Sequence, residues 1–436
     1  MIYRAPQRRL FLVLLCACLG GCAAVDYASE VLSLEEENPA AQPAPLVTIK
    51  KPIEVEDLWS RSVGAGVEEH FLKLVPAAQG DRIFTADREG LVSAVHAETG
   101  KVIWEEDTGV PIAGGPGIGQ DLVLVGTSDG EVLALSQKDG KVLWRAEVTS
   151  EVLAAPAVDT GTVVARTLDG KLFGFSAKNG ERLWVYDRQA PVLTLRGTSA
   201  PVMVQGFVIA GFDSGTLVAL DQRTGKLAWE MRIAQPRGRS ELERMVDIDA
   251  EPLIVEDTLY VATYQGRVAA IALDSGRPRW EREFSSYAGM GVDARNVYLT
   301  DDEGHVWALD RDSGDTVWRQ KKLHDRGVTA PVSFGEYVVV GDFEGYLHWL
   351  RRDDGKLVGR VEVGGDRIIA PPFVANDTLF AYSSEGTLSA YRLPGPEVGS
   401  GHEHESESQA EPESESEGGS QYDVIPKPGS GGFLNF

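Results

Sequence analysis

The chain has 436 residues, 43% of them apolar, which is enough for a large core. Its 66 acidic residues outnumber 42 basic ones for a formal charge of -24, and a nucleic-acid partner is excluded because phosphates demand a basic surface. Cysteine occurs only as Cys16, Cys18 and Cys22, so the body can hold neither a disulfide nor a thiolate metal site.

The N-terminus explains where the cysteines went. Arg4, Arg8 and Arg9 precede an apolar run from Leu10 to Leu19, too short to cross a bilayer but suited to a secretory signal. The run ends Leu19-Gly20-Gly21-Cys22, which resembles a bacterial lipobox. That resemblance makes residues 1–21 a signal peptide and Cys22 the lipid attachment point, with several acyl chains giving a stable anchor. The competing reading is an ordinary cleaved signal with a chance cysteine. Ala23 stands where an aspartate would retain such a lipoprotein in the inner membrane, so the expected destination is the periplasmic face of the outer membrane. Residues 22–52, containing "EEENPAAQPAPL", read as an extended tether spanning roughly 3 Å per residue.

From residue 53 to 393 one phrase recurs: "DREGLVSAV", "SDGEVLALS", "LDGKLFGFS", "DSGTLVALD", "YQGRVAAIA", "DEGHVWALD", "FEGYLHWLR" and "SEGTLSAYR". Its glycines, from Gly90 to Gly386, are spaced 40, 40, 45, 51, 38, 41 and 41 residues apart. A period near 40 with short alternating strands and glycine turns predicts an all-β fold, an eight-bladed β-propeller of four-stranded blades. A second phrase follows each of the first seven, as in "ETGKVIW" and "KDGKVLW". It places Trp104, Trp144, Trp184, Trp229, Trp280 and Trp318 early in the last strand of a blade, where a flat ring packs between sheets; only Gly359 breaks the series. The eighth repeat lacks a closing strand, and "EDLWSRSVG" around Trp59 supplies one. The N-terminal strand is therefore expected to close the ring and remove its free edge.

The two longest spacings mark insertions between a docking tryptophan and the first strand of the next blade. Such connections share one rim, so adjacent insertions form one patch. It holds Leu193 and Leu195 on one side of an extended segment, then Arg196, then Asp247 and Asp249. Leucines beside an arginine and two carboxylates suit protein binding. Inward-turned leucines with an internal salt bridge between the loops are the alternative.

The phrase "A-x-x-x-x-T/S-G-K-x-x-W" resembles the tryptophan-docking motif of pyrroloquinoline-quinone-type propellers. That class includes quinone-dependent dehydrogenases, whose calcium–quinone ligands and adjacent-cysteine disulfide find no counterpart here, so no enzyme and no cofactor are expected. Lipobox, tether, eight repeats and the stretches "PVLTLRGTSAP" and "SELERMVDIDAEP" together resemble the BamB family of outer-membrane assembly lipoproteins, over residues 22 to 393. The resemblance implies a non-catalytic scaffold whose rim, through Leu193, Leu195, Arg196, Asp247 and Asp249, binds the POTRA domains of BamA, with unfolded outer-membrane proteins as further candidate partners. A periplasmic propeller serving another protein or ligand is the alternative function.

Two weaker signals carry less. "GGPGIG" from Gly114 to Gly119 has a phosphate-loop look, but no helix follows and other repeats place "AAPAV" there, so it reads as a first strand. Residues 394–436 hold nine acids and one lysine with few apolar groups; they read as a disordered acidic tail, with His402 and His404 too weak a pair for a metal site.

Overall fold

The computed structural model describes residues 42–67, 72–188, 191, 193–195 and 199–394. Cys22, the first part of the tether, Arg196 and the acidic tail lie outside these described residues.

Every strand falls into one of eight four-stranded antiparallel sheets, and these are the blades of the expected propeller. Seven blades are continuous in sequence, covering 77–107, 112–147, 157–187, 202–232, 253–284, 290–320 and 332–362. The eighth takes three strands from 373–392 and its outermost strand, Glu56–Ser62, from the N-terminus, paired antiparallel from Glu56 opposite Arg392 to Ser62 opposite Thr387. The ring closes as the missing eighth phrase requires.

Burial explains why the blades read as they do. In the second blade, Leu122–Thr127 is buried throughout, because both faces of a middle strand meet neighbouring blades. The outermost strand Val142–Glu147 alternates, since one of its faces meets solvent. The glycines of "GGPGIG" sit in Ile112–Gly119, the first strand of that blade, where a β-carbon on Gly117 would lie 1.8 Å from the Pro156 carbonyl oxygen. They permit close approach of the next blade.

The tryptophans dock between blades with a repeated geometry. Trp104 Nε1 donates to the Gln137 carbonyl at 2.9 Å, and Trp144 donates to Ala177 likewise at 2.9 Å. Each ring covers the turn glycine of the following repeat: a β-carbon on Gly140, at φ +75°, would be 2.5 Å from Trp104. Across the strand pair the tryptophan faces a small residue, such as Ala94 opposite Trp104 and Gly174 opposite Trp184. In the seventh blade this pair is exchanged, with Trp349 on the third strand opposite Gly359 on the fourth. The eighth blade has no turn between its third and fourth strands, so a tryptophan at 359 would have nothing to cover. Ile53 of the N-terminal segment packs there instead, its amide donating to the Val358 carbonyl.

That segment meets the ring before residue 53. The Ala44 amide donates to the His324 carbonyl, Arg326 Nη1 donates to the Ala44 carbonyl, and Arg360 donates to the Val47 carbonyl. Arg326 itself is fixed by buried Asp342, which also holds His348. The part of the tether from residue 44 onward thus runs along the seventh blade.

Candidate functional site

The two insertions occupy 188–201, after the third blade, and 233–252, after the fourth. Both emerge on the rim that carries the hairpins joining second and third strands, as the order of strands requires.

Leu193 and Leu195 are exposed, at 39% and 37%, in the first insertion. Their exposure is a departure from the usual burial of leucine. Asp247 and Asp249, from the second insertion, are placed differently: both are buried, at 0% and 7% exposure. The Leu195 amide donates to Asp247 Oδ2, so one insertion holds the backbone of the other. The structure therefore brings Leu195 and Asp247 together through main chain rather than as neighbouring surface groups.

Beneath them lies a pair that the repeat reading passed over. Buried Arg166, at the end of the strand Thr162–Arg166, donates through Nη2 to Asp213 in the hairpin of the fourth blade. At the matching position, four residues before the hairpin glycine, the other repeats carry Ala86, Gly126, Gly211, Ala262, Thr300, Gly341 and Tyr382. An arginine at the end of an apolar strand was the available signal. The guanidinium also sits 5.7 Å from the Phe212 ring centre, a cation–π contact inside the protein.

Asp247 thus has Asp213, Asp249 and the Arg166 guanidinium within electrostatic reach at this base. Burial pushes the Asp247 carboxyl up to about 7; the Leu195 amide opposes this, Asp213 and Asp249 add to it, and Arg166 draws it back down. Near neutral pH Asp247 is poised between charged and neutral forms.

Leu195 and Asp249 also line a cavity of about 470 Å³. Its walls come from loops of several blades, including Lys73, Tyr264, Tyr287 and Phe343, which places it at the centre of the rim. Lys73 is held there by donating to the Ala288 carbonyl at 3.1 Å. Among the described residues one group could hold a metal ion, Asp301, Glu303 and His305 in the hairpin of the sixth blade. Arg319 reaches all three of these side chains, so a guanidinium already supplies positive charge there.

Comparison with known proteins follows the same lines. A family described as outer membrane protein assembly factor BamB matches residues 56–114, 88–320 and 312–395. A protein of that name from Alkalilimnicola ehrlichii is 53% identical over 341 residues, covering 78% of this chain and 89% of its own length. Its counterpart from Pseudomonas aeruginosa is 52% identical over 351 residues, 80% and 92% of the two chains. Among solved structures, BamB from Moraxella catarrhalis superposes with a TM-score of 0.71 at 29% identity, over 78% of this chain and all of the other. A quinohemoprotein alcohol dehydrogenase from Comamonas testosteroni superposes with a TM-score of 0.61 at 14% identity, a likeness of fold alone.

Proposed function

The chain belongs to the BamB family of outer membrane protein assembly factors, and from that premise we propose that it is a non-catalytic scaffold of the Bam complex. In this reading Cys22 carries the lipid that anchors the protein to the outer membrane, and the ring faces the periplasm. The two-insertion rim binds the POTRA domains of BamA and so supports insertion of β-barrel proteins, with no covalent chemistry and no cofactor.

The observation that carries this reading is the pair of exposed leucines on a segment held by Asp247. A leucine kept in water by a buried carboxylate is preorganised for a partner, because the ordering cost is met before binding. Leu193 and Leu195 are the anchors, and Arg196 contributes a guanidinium to the same contact. Asp247 and Asp249 take part from below, as the support that shapes the surface.

Calorimetric titration of the mature chain with isolated POTRA domains tests this. Leu193→Ala/Leu195→Ala is expected to cost about 2–4 kcal/mol of binding, the range of buried interface anchors, with an unchanged melting temperature. Unchanged affinity in the folded variant would remove this rim as the binding surface. Loss of fatty-acid labelling in Cys22→Ala tests the anchor separately.

A further inference from the structure

The second insertion has an exposed part that none of the five rim residues includes. Every residue from 235 to 244, "QPRGRSELER", is exposed, and the chain then turns fully inward from Met245 to Ala250. This finger is ordered by its own backbone chemistry. Ser240 Oγ accepts from the Glu243 amide at 3.2 Å, while Glu243 Oε2 accepts from the amides of Arg239 and Ser240. Such a reciprocal capping box fixes a single turn through 241–244.

Two features of that turn lack a use within the ring. Leu242, at 63%, is the most exposed large apolar side chain among those described. Arg237, Arg239 and Arg244 surround it in sequence, and their guanidinium groups make no ion pair or hydrogen bond among the described residues. Elsewhere among the described residues some exposed arginines are paired, as at Arg188 with Glu230, Arg267 with Glu281 and Arg279 with Asp257, and others such as Arg223 and Arg277 are not; the finger differs in gathering three of them around one exposed leucine. Glu243 keeps its charge while it accepts its own amides, so the finger sets three cations against two anions, a net +1 in a chain of net charge -24.

The finger is also continuous with the leucine patch. Tyr264 lines both the groove beside Leu242 and the central cavity that Leu195 borders. A partner seated on Leu195 therefore meets the finger across one aromatic ring.

We propose that the finger is a second contact for the partner of this rim: Leu242 enters an apolar recess, while Arg237, Arg239 and Arg244 meet carboxylates around it. The occupant is an acidic protein surface, since an aliphatic knob ringed by arginines is complementary to a recess ringed by acids. The inference rests on the scaffold reading above and adds to it a charge requirement on the partner.

The test titrates the mature chain with isolated POTRA domains at low and high salt. For Arg237→Glu/Arg239→Glu/Arg244→Glu, affinity is expected to fall at least ~10-fold at about 50 mM salt, with the deficit shrinking to under ~3-fold at about 500 mM as charges are screened. The corresponding lysine variant, which keeps the charge, is expected to stay within ~3-fold of wild type, and Leu242→Ala to lose roughly 3- to 10-fold at either salt. Normal affinity in both the glutamate variant and Leu242→Ala, with Leu193→Ala/Leu195→Ala impaired, would overturn the finger and spare the leucine patch. Impairment of the finger variants alone would do the reverse. If instead the glutamate variant binds POTRA domains normally but no longer sediments with phosphatidylglycerol vesicles, the finger serves a lipid surface and the proposal fails.

Discussion

Two adjoining stretches of one insertion, 235–244 and 245–250, treat charge in opposite ways. The first leaves three arginines in solvent without partners among the described residues; the second buries Asp247, which accepts the amide of a neighbouring loop, and Asp249. A charge in water is inexpensive and available to a partner, whereas a buried one is costly and survives only if the surroundings compensate it. The contrast separates contact from support within twenty residues. It also predicts that substitutions in the two halves will move different observables.

The largest effect is expected at the buried base. Arg166→Met removes the buried cation paired with Asp213 and leaves Asp213 near the Asp247 carboxyl in the interior. Breaking such a pair costs about 3–5 kcal/mol, and calorimetry should show a markedly lower melting temperature at neutral pH with partial recovery in acid, where the carboxyls become neutral. The finger's glutamate triple variant should leave the melting temperature nearly unchanged, since exposed substitutions usually stay within about 0.5 kcal/mol. A comparable drop in both would abolish the distinction between the halves.

A smaller effect with a definite sign follows from Asp247. Its folded pKa, about 7, lies above the ordinary aspartate value. The folded state therefore holds a proton that the unfolded chain has released, and this site's contribution is complete in acid and lost as pH rises through 7. Between pH 5 and 8 the loss amounts to at most about 2–3 kcal/mol. Asp247→Asn keeps an oxygen for the Leu195 amide and removes the titration, so its melting temperature relative to wild type should climb across that interval. A difference that stays flat with pH would mean that Asp247 is fully ionised in the folded ring.

How much of this was legible depends on whether a feature repeats. The docking tryptophans, their turn glycines and the closing strand recur or are conspicuously missing once, so eight blades followed from spacing alone. Even the anomaly at Gly359 was visible, although its cause was not: the exchange with Trp349 depends on Ile53 arriving from the far end of the chain. The insertions recur nowhere. Leu193 and Leu195 could be picked out as apolar residues in a loop, and the structure leaves them exposed. Burial of the two aspartates was not readable, because the groups around Asp247, including the Leu195 amide and the Arg166–Asp213 pair, converge from separate segments. The departure at Arg166 was the one local clue, and it shows only when the repeats are aligned strand by strand.

The smallest effect sharpens the comparison most finely, because it perturbs the finger without touching its charges. Ser240→Ala deletes the hydroxyl that caps the turn, leaving Arg237, Arg239, Arg244 and Leu242 in place. A lost cap costs about 1 kcal/mol, and here it falls on one exposed turn rather than on the ring, so global melting should hold steady. Hydrogen exchange at the amide of Glu243, the donor to that hydroxyl, is the direct readout and should quicken by roughly 3- to 10-fold, the factor a 1 kcal/mol local destabilisation implies. If a preformed turn matters to binding, POTRA affinity should weaken by a similar factor, because the partner must then order the finger itself. Faster exchange with full affinity would mean that the arginines act through long-range attraction alone, and that the finger needs its charge but not its shape.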